Sequence, residues 1–291
     1  MLLRAAGNRT PPPLLLDSKV TPLSSERSGA AAMIESDGFF GLRTTDRLDR
    51  ELLIALATRQ IGAVHVKGLV AAQDCDDVVD RLEKDRLNAF DLSRYQVPTF
   101  NLGPILNHYL PQRRITQTYW DEARHAEDFW EGCEPDVRAQ CFRLLAEAWG
   151  ATARQLHHDG RPLFRGIVRD NSNGAPPHWD DLAIEFPPGF VVPVPIVQLS
   201  FVLYLRMPAS GGETDIWPRR WVPGDDRFRV GSCWPDLPLG AAPLSVRATA
   251  GDAVIFDPRH YHQVRPGLDG RRLTLASYLG ITADGALVAW S

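Results

Sequence analysis

The sequence predicts an α+β protein: helices fill the first half, and a β-rich second half forms a sandwich or jelly roll on which they pack. Three observations predict it. Apolar residues recur at helical spacing before about residue 160, and short runs of strand formers broken by Gly and Pro follow. A composition of 44% hydrophobic and 23% charged residues marks a packed interior rather than a disordered chain. At 291 residues one large core is the default.

Residues 1–34 are rich in Pro, Ser, Ala and Gly, keep no sustained period and read as a flexible N-terminal extension; Met33 offers an alternative start. From an N-cap at Thr45 or Asp46, the residues Leu48, Leu52, Leu53 and Leu56 predict a helix running to Gly62. AVHVKGLV alternates and is valine-rich, so it predicts a strand, while QDCDDVVDRLEKDRL returns to helical period through Val78, Val79 and Leu82. A third helix is expected from Pro135 to about Leu156, with Val137, Cys141, Leu144, Leu145, Ala148 and Trp149 on its buried stripe. Between Tyr95 and Trp130 no clear period emerges, and the segment reads as a loop or lid. Past residue 160, LFRGIVRD, PIVQLSFVLYLR, GETDIW, LSVRAT, AVIFD, HQVRP and RRLTLASYLGI are the expected strands.

The balance of charges excludes some functions. A formal net charge of -4 supplies no basic surplus for a phosphate backbone, so nucleic acid is not an expected partner. The lysines are Lys19, Lys67 and Lys84, so any cation needed by the second half must be an arginine. Cys75, Cys133, Cys141 and Cys233 lack the CxxC spacing of zinc ribbons and the density of stapled secreted domains. No apolar run approaches the roughly 20 residues of a membrane span. Pro11, Pro12 and Pro13 interrupt what would be a signal peptide's apolar stretch, so the expected compartment is the cytoplasm.

Chemistry concentrates in two places. In Pro176-Pro177-His178-Trp179-Asp180-Asp181, period-two geometry sends His178 and Asp180 to one face of an extended strand and Trp179 to the other. The same rule turns Asp181 away as a solvated or strand-capping carboxylate. The second place is 251–280, where a Gly-Asp turn leads the strand Ala253–Phe256, His262 opens HQVRP, and a turn at Asp269-Gly270 returns into RRLTLASYL. Arg272, Thr274 and Ala276 share one strand face, and a hairpin would put Arg272 deeper in the cavity that holds His262. An arginine buried there needs an anion, because its charge cannot be shed.

The order His178-x-Asp180, Gly211-Gly212-Glu213-Thr214, Gly251–Phe256, His262-x-Val264-x-Pro266, then Arg272 resembles the iron(II)/2-oxoglutarate-dependent oxygenases of the double-stranded β-helix fold. The resemblance covers roughly residues 160–282, with the earlier strand and helix also similar to the way many members begin. It implies one oxygenase domain over 35–291, with 35–160 as mainly helical support and lid and 161–282 as a jelly-roll, cupin-like core. It also implies His178, Asp180 and His262 as iron(II) ligands, dioxygen as oxidant, and 2-oxoglutarate as co-substrate held by Arg272 with a hydroxyl from Thr274. Two imidazoles and a carboxylate on one face of an octahedral metal leave open positions for a bidentate 2-oxoacid and dioxygen. His260 competes with His262, but the H-x-V-x-P context and the step to Arg272 favour His262.

Hydroxylation of a small molecule, an amino acid or natural-product intermediate, is the simplest expected outcome, with desaturation or ring formation as variants. Asp180 argues against chlorination, since halogenating relatives lack that carboxylate. A cupin-like isomerase or hydrolase working without redox change is the alternative; Arg272 and the lack of a His cluster count against it. Arg165, Arg169, Asn171, Asn173 and Gln198 are candidate substrate contacts, with Ser200 a further polar break in its strand. Segments 95–130 and Trp217–Leu239 are expected to shape the pocket.

Overall fold

The computed structural model describes residues 40–85, 87–89, 97–108 and 114–291, so the extension read at 1–34 lies outside the described residues. Chain order begins with a strand, Leu42–Thr45 (β1), parallel to Ala63–Val66 (β2), with the helix Arg50–Ala57 (α1) between them. The helix start is later than expected. Thr44 and Thr45 are paired with His65 and Val66, and strand pairing overrides their capping tendency. Asp49 caps instead, its carboxylate accepting from the Leu52 amide at 3.0 Å. Ala72–Leu82 (α2) follows and buries Cys75, Val78, Val79 and Leu82. After the short strand Phe100–Leu102 (β3) comes Gln117–Glu131 (α3), a helix in the segment read as loop or lid. Its buried residues Tyr119, Ala126, Phe129 and Trp130 hold helical spacing, but charged residues and irregular flanks dilute the period. Val137–Trp149 (α4) ends short of Leu156 because Gly150 takes a left-handed conformation at φ 82°.

The main elements that follow, apart from several two-residue strands and a 3-10 turn, are Ile167–Asp170 (β4), Ala175–His178 (β5), the one-turn helix Leu182–Glu185 (α5), Pro195–Arg206 (β6), Thr214–Arg220 (β7), Leu244–Val246 (β8), Ala253–Phe256 (β9), His260–Val264 (β10), Leu273–Thr282 (β11) and Leu287–Trp290 (β12). They complete a double-stranded β-helix. Its large sheet runs β1-β2-β9-β6-β11-β4-β3, so strands from outside 161–282 belong to the same sheet as the expected core. The small sheet runs β8-β7-β10-β5. Helices α1 and α2 pack on β6, which explains the near-continuous apolar run of that strand. At the head of β9, Asp252 accepts from the Gly68 and Thr249 amides at 2.9 Å and lies 3.0 Å from His65, tying the Gly-Asp turn to β2. Among the described residues no helix is long and apolar enough to cross a membrane.

Candidate active site

Strand register brings the two imidazoles together. His262 in β10 pairs directly with His178 at the end of β5, and the ring centroids are 4.2 Å apart. The Asp180 carboxylate joins them two residues on, its Oδ2 3.6 Å from His262 Nε2. One ligand atom from each of the three side chains lies within 4.8 Å of the others. Each ring is oriented by its own backbone: His178 Nδ1 donates to the Pro176 carbonyl at 2.8 Å and His262 Nδ1 to the His260 carbonyl at 2.9 Å. A carbonyl only accepts, so both Nδ1 atoms carry the proton and both Nε2 lone pairs are left for a metal. Burial lowers the pKa of both rings, with the neighbouring His178 adding to the fall of His262 to about 3. Neutral imidazole is the form that ligates.

His260 takes no part in the cluster, although period two would put it on the face of His262. The ladder to β7 is irregular here, with Ile216 opposite His262 but Arg220 opposite His260. That bulge turns His260 away, edge-on to Phe40 with centroids 5.0 Å apart.

Asp180 is held from several directions. Its amide donates to the Pro258 carbonyl at 2.9 Å. Asn107, from a helical turn within the segment read as loop or lid, donates from Nδ2 to Asp180 Oδ1 at 3.4 Å and to Glu185 at 3.0 and 3.1 Å. Burial first, and the Asp180 charge second, push the Glu185 carboxyl well above its ordinary range. Asp181 caps α5, accepting from the Ala183 amide at 3.0 Å, as a capping carboxylate should. No sequence signal pointed to Asn107, because its partners are more than 70 positions away in the chain.

Arg272 and Thr274 line the same pocket as the triad, but not by way of a hairpin. His262 lies in the small sheet and β11 in the large one, so the cavity is closed by two facing sheets. Arg272 is 2% exposed, and its hydrogen-bond partners are neutral: the Gly212 carbonyl at 2.9 Å, Asn171 Oδ1 at 2.5 Å and Thr214 Oγ1 at 3.1 Å. The Tyr204 ring lies 5.0 Å away. Burial lowers the pKa of this guanidinium. Gly211, at φ 71°, lets the loop approach: a Cβ there would sit 2.1 Å from the Pro266 carbonyl. Arg271 faces outward and pairs with Asp170 at 2.7 Å.

The other expected contacts divide. Arg169, Asn171 and Ser200 line the pocket. Arg165 does not: Gly166, at φ 81°, breaks the alternation, and the Arg165 guanidinium lies over Phe142 at 4.3 Å and donates to the Ala153 carbonyl at 2.9 Å. Asn173 is exposed and donates to the Pro98 carbonyl. Gln198 braces rather than lines: its Oε1 accepts from the Leu182 amide at 2.9 Å, and its Nε2 donates to the Asp180 carbonyl at 3.4 Å. Trp217–Leu239 contributes nothing to the described lining. It covers the outer face of the small sheet, where Trp179 stacks near Trp221 at 5.0 Å and Trp234 at 5.6 Å. Thr99 and Thr214 line the pocket without having been singled out as contacts.

No family model matches the sequence. The chain is 34% identical, over 248 residues, to the L-gamma-glutamyl-L-propargylglycine hydroxylase of Streptantibioticus cattleyicolor, covering 83% of this chain and 92% of that protein. Among solved structures, an N-substituted L-amino acid dioxygenase from Burkholderia ambifaria, in complex with alpha-ketoglutarate, superposes with a TM-score of 0.53 at 16% identity. That match covers 83% of this chain and 91% of the other. The same dioxygenase solved separately gives a TM-score of 0.52 over the same shares. At that identity the likeness is one of fold.

Proposed function

The chain belongs to the iron(II)/2-oxoglutarate-dependent oxygenases and takes iron(II) and 2-oxoglutarate, and on that premise we propose that it hydroxylates a small amino-acid-derived molecule, a γ-glutamyl dipeptide being the first to test. The overall change converts substrate, 2-oxoglutarate and dioxygen into hydroxylated product, succinate and carbon dioxide. The observation that carries the proposal is the pocket, in which His178, Asp180 and His262 share a cavity with a buried arginine whose own partners are neutral. The donor set fits the metal: two Nε2 lone pairs and a carboxylate suit iron(II) and leave one face open. Bound there, iron(II) supplies the oxidising chemistry, with dioxygen as oxidant and the 2-oxoacid as reductant.

The protein's own groups do the rest. His178, Asp180 and His262 hold the metal, with the Pro176 and His260 carbonyls fixing the two rings. Arg272 receives the distal carboxylate of 2-oxoglutarate as a bidentate partner. Asn171 and Thr214 hold the guanidinium in place, and Thr274 supplies a hydroxyl from the same strand. Residues 35–291 work as one oxygenase domain. All four cysteines are free and buried, with burial raising the Cys75 thiol to about 12 and Cys133 to about 11, which suits a reducing cytoplasm.

The test is anaerobic reconstitution with iron(II) and 2-oxoglutarate, which should give a visible charge-transfer band. A screen for succinate release, with products one oxygen heavier, follows in air. Turnover with zinc and without dioxygen would move the protein to the isomerase or hydrolase alternative.

A further inference from the structure

Alternate residues of β6, Gln198, Ser200, Val202 and Tyr204, share one face of the strand, and the polar ones differ in what they hold. Gln198 is committed to the Leu182 amide and the Asp180 carbonyl. The Tyr204 hydroxyl, at the other end, shares a hydrogen bond of 2.8 Å with Thr214 Oγ1. Ser200 lies between them, 8% exposed and lining the pocket, and its hydroxyl has no hydrogen-bond partner among the described residues. A serine hydroxyl both donates and accepts, so this one is left for a ligand.

Strand register separates this hydroxyl from the co-substrate. Tyr204 lies opposite Thr274 of β11, and its ring is 5.0 Å from Arg272, so that level is the one given above to 2-oxoglutarate. Ser200 is four residues away, about 13 Å along the strand. The two carboxyl carbons of 2-oxoglutarate are four carbon–carbon bonds apart, roughly 5 Å, so a molecule anchored at Arg272 falls short of Ser200. The hydroxyl still lies on the metal side of the cavity. Ser200 is directly opposite Phe256 of β9, whose ring meets the His262 ring edge-on with centroids 5.0 Å apart, and directly opposite Tyr278 of β11 on the other side. Its neighbours Val202 and Phe256 are hydrocarbon, and a hydroxyl cannot neutralise a charge, so a neutral polar group suits this position better than an ion.

From this placement we infer that Ser200 recognises an amide of the substrate, so that the protein takes an amino acid acylated on nitrogen in preference to the free amino acid, whose ammonium the hydroxyl cannot neutralise. The inference rests on the oxygenase reading and narrows the substrate class of the same site.

The experiment compares γ-glutamyl and N-acetyl amino acids, L-γ-glutamyl-L-propargylglycine among them, with the free amino acids and with esters in which oxygen replaces the amide N–H. Succinate release above the substrate-free rate is measured in wild type and Ser200→Ala. In parallel, 2-oxoglutarate is titrated anaerobically into each iron(II)-loaded protein, a readout that also reports folding. The wild type should prefer amide to ester roughly 3- to 10-fold in KM, the worth of one neutral hydrogen bond, and Ser200→Ala should raise the amide KM by that factor while the ester KM stays within about twofold. A residue that only supports the fold would move both compounds equally. The 2-oxoglutarate requirement of Ser200→Ala should stay within about threefold of wild type; a larger rise overturns the inference, because the hydroxyl then serves the co-substrate. An amide KM that Ser200→Ala leaves unmoved, an equal loss for amide and ester, or a wild type that prefers the free amino acids also overturns it. Stimulation by no amide-linked compound, with the charge-transfer band present, overturns it while leaving the oxygenase reading standing. Absence of that band in wild type would instead fail the reading of the metal site on which the inference rests.

Discussion

The two sheets that close the pocket carry different chemistry. The small sheet presents the imidazoles, from neighbouring strands in direct register, and needs only local geometry to do so. The large sheet presents Arg169 and Thr274, with Arg272 at its margin, and the buried Arg272 guanidinium, held by neutral partners, suits an anion arriving opposite it. Under the proposed function, metal binding and carboxylate binding fall to separate walls of one cavity. Arg272 is the link, since it immediately precedes a strand of the large sheet yet donates to Gly212 and Thr214 on the side of the small one. The small sheet also differs from side to side: Trp179 and Tyr261, each one residue from a metal-side histidine, lie in the aromatic cluster of the outer face. Alternation sends one residue to chemistry and the next to packing.

If the walls are separable, substitutions on them should fail in different ways. The largest effect is expected from His178→Ala or His262→Ala. Each should weaken iron(II) by more than the roughly 10–100-fold that outer partners of a metal are worth. His260→Ala should leave iron affinity near wild type, as measured by competition with a chromogenic chelator. Loss from His260→Ala with retention in His262→Ala would reverse the assignment. On the other wall, Arg272→Ala should raise the 2-oxoglutarate requirement about 30-fold to several thousand-fold while iron binding survives. Arg271→Ala, which faces outward, is the matched control, and equal loss from both would break the comparison.

Asn107→Ala tests whether the metal wall depends on the N-terminal half. Removing the amide between Asp180 and Glu185 should lower iron affinity about 10-fold and shift the anaerobic band, whereas a stabilising role alone would lower the melting temperature and leave the band unmoved. The smallest functional effect is expected from Gln198→Ala. It removes a buried brace, so stability should fall by about 1–3 kcal/mol in denaturant titration, with the substrate KM unchanged within about threefold. A large KM effect would return Gln198 to the pocket.

Much of this site was legible in the sequence because strand geometry is local. The i, i+2 rule put His178 and Asp180 together, turned Trp179 and Arg271 outward, and grouped Arg272 with Thr274. Asp181 and the Gly-Asp turn at 251–252 worked where their types are expected to work, since caps and turns draw on neighbouring residues. Tertiary structure decided the rest. A bulge opposite β10, invisible in either strand alone, separated His260 from His262. A glycine at positive φ parted Arg165 from Arg169. The helix at 117–131 needed the core to show its stripe, and Asn107 acquires its role only from carboxylates distant in the chain. The sequence by itself determined which face each strand residue takes, because that depends on a two-residue period. Which faces meet across the cavity depends on long-range pairing between sheets, where each contact is fixed by segments that carry no local record of one another.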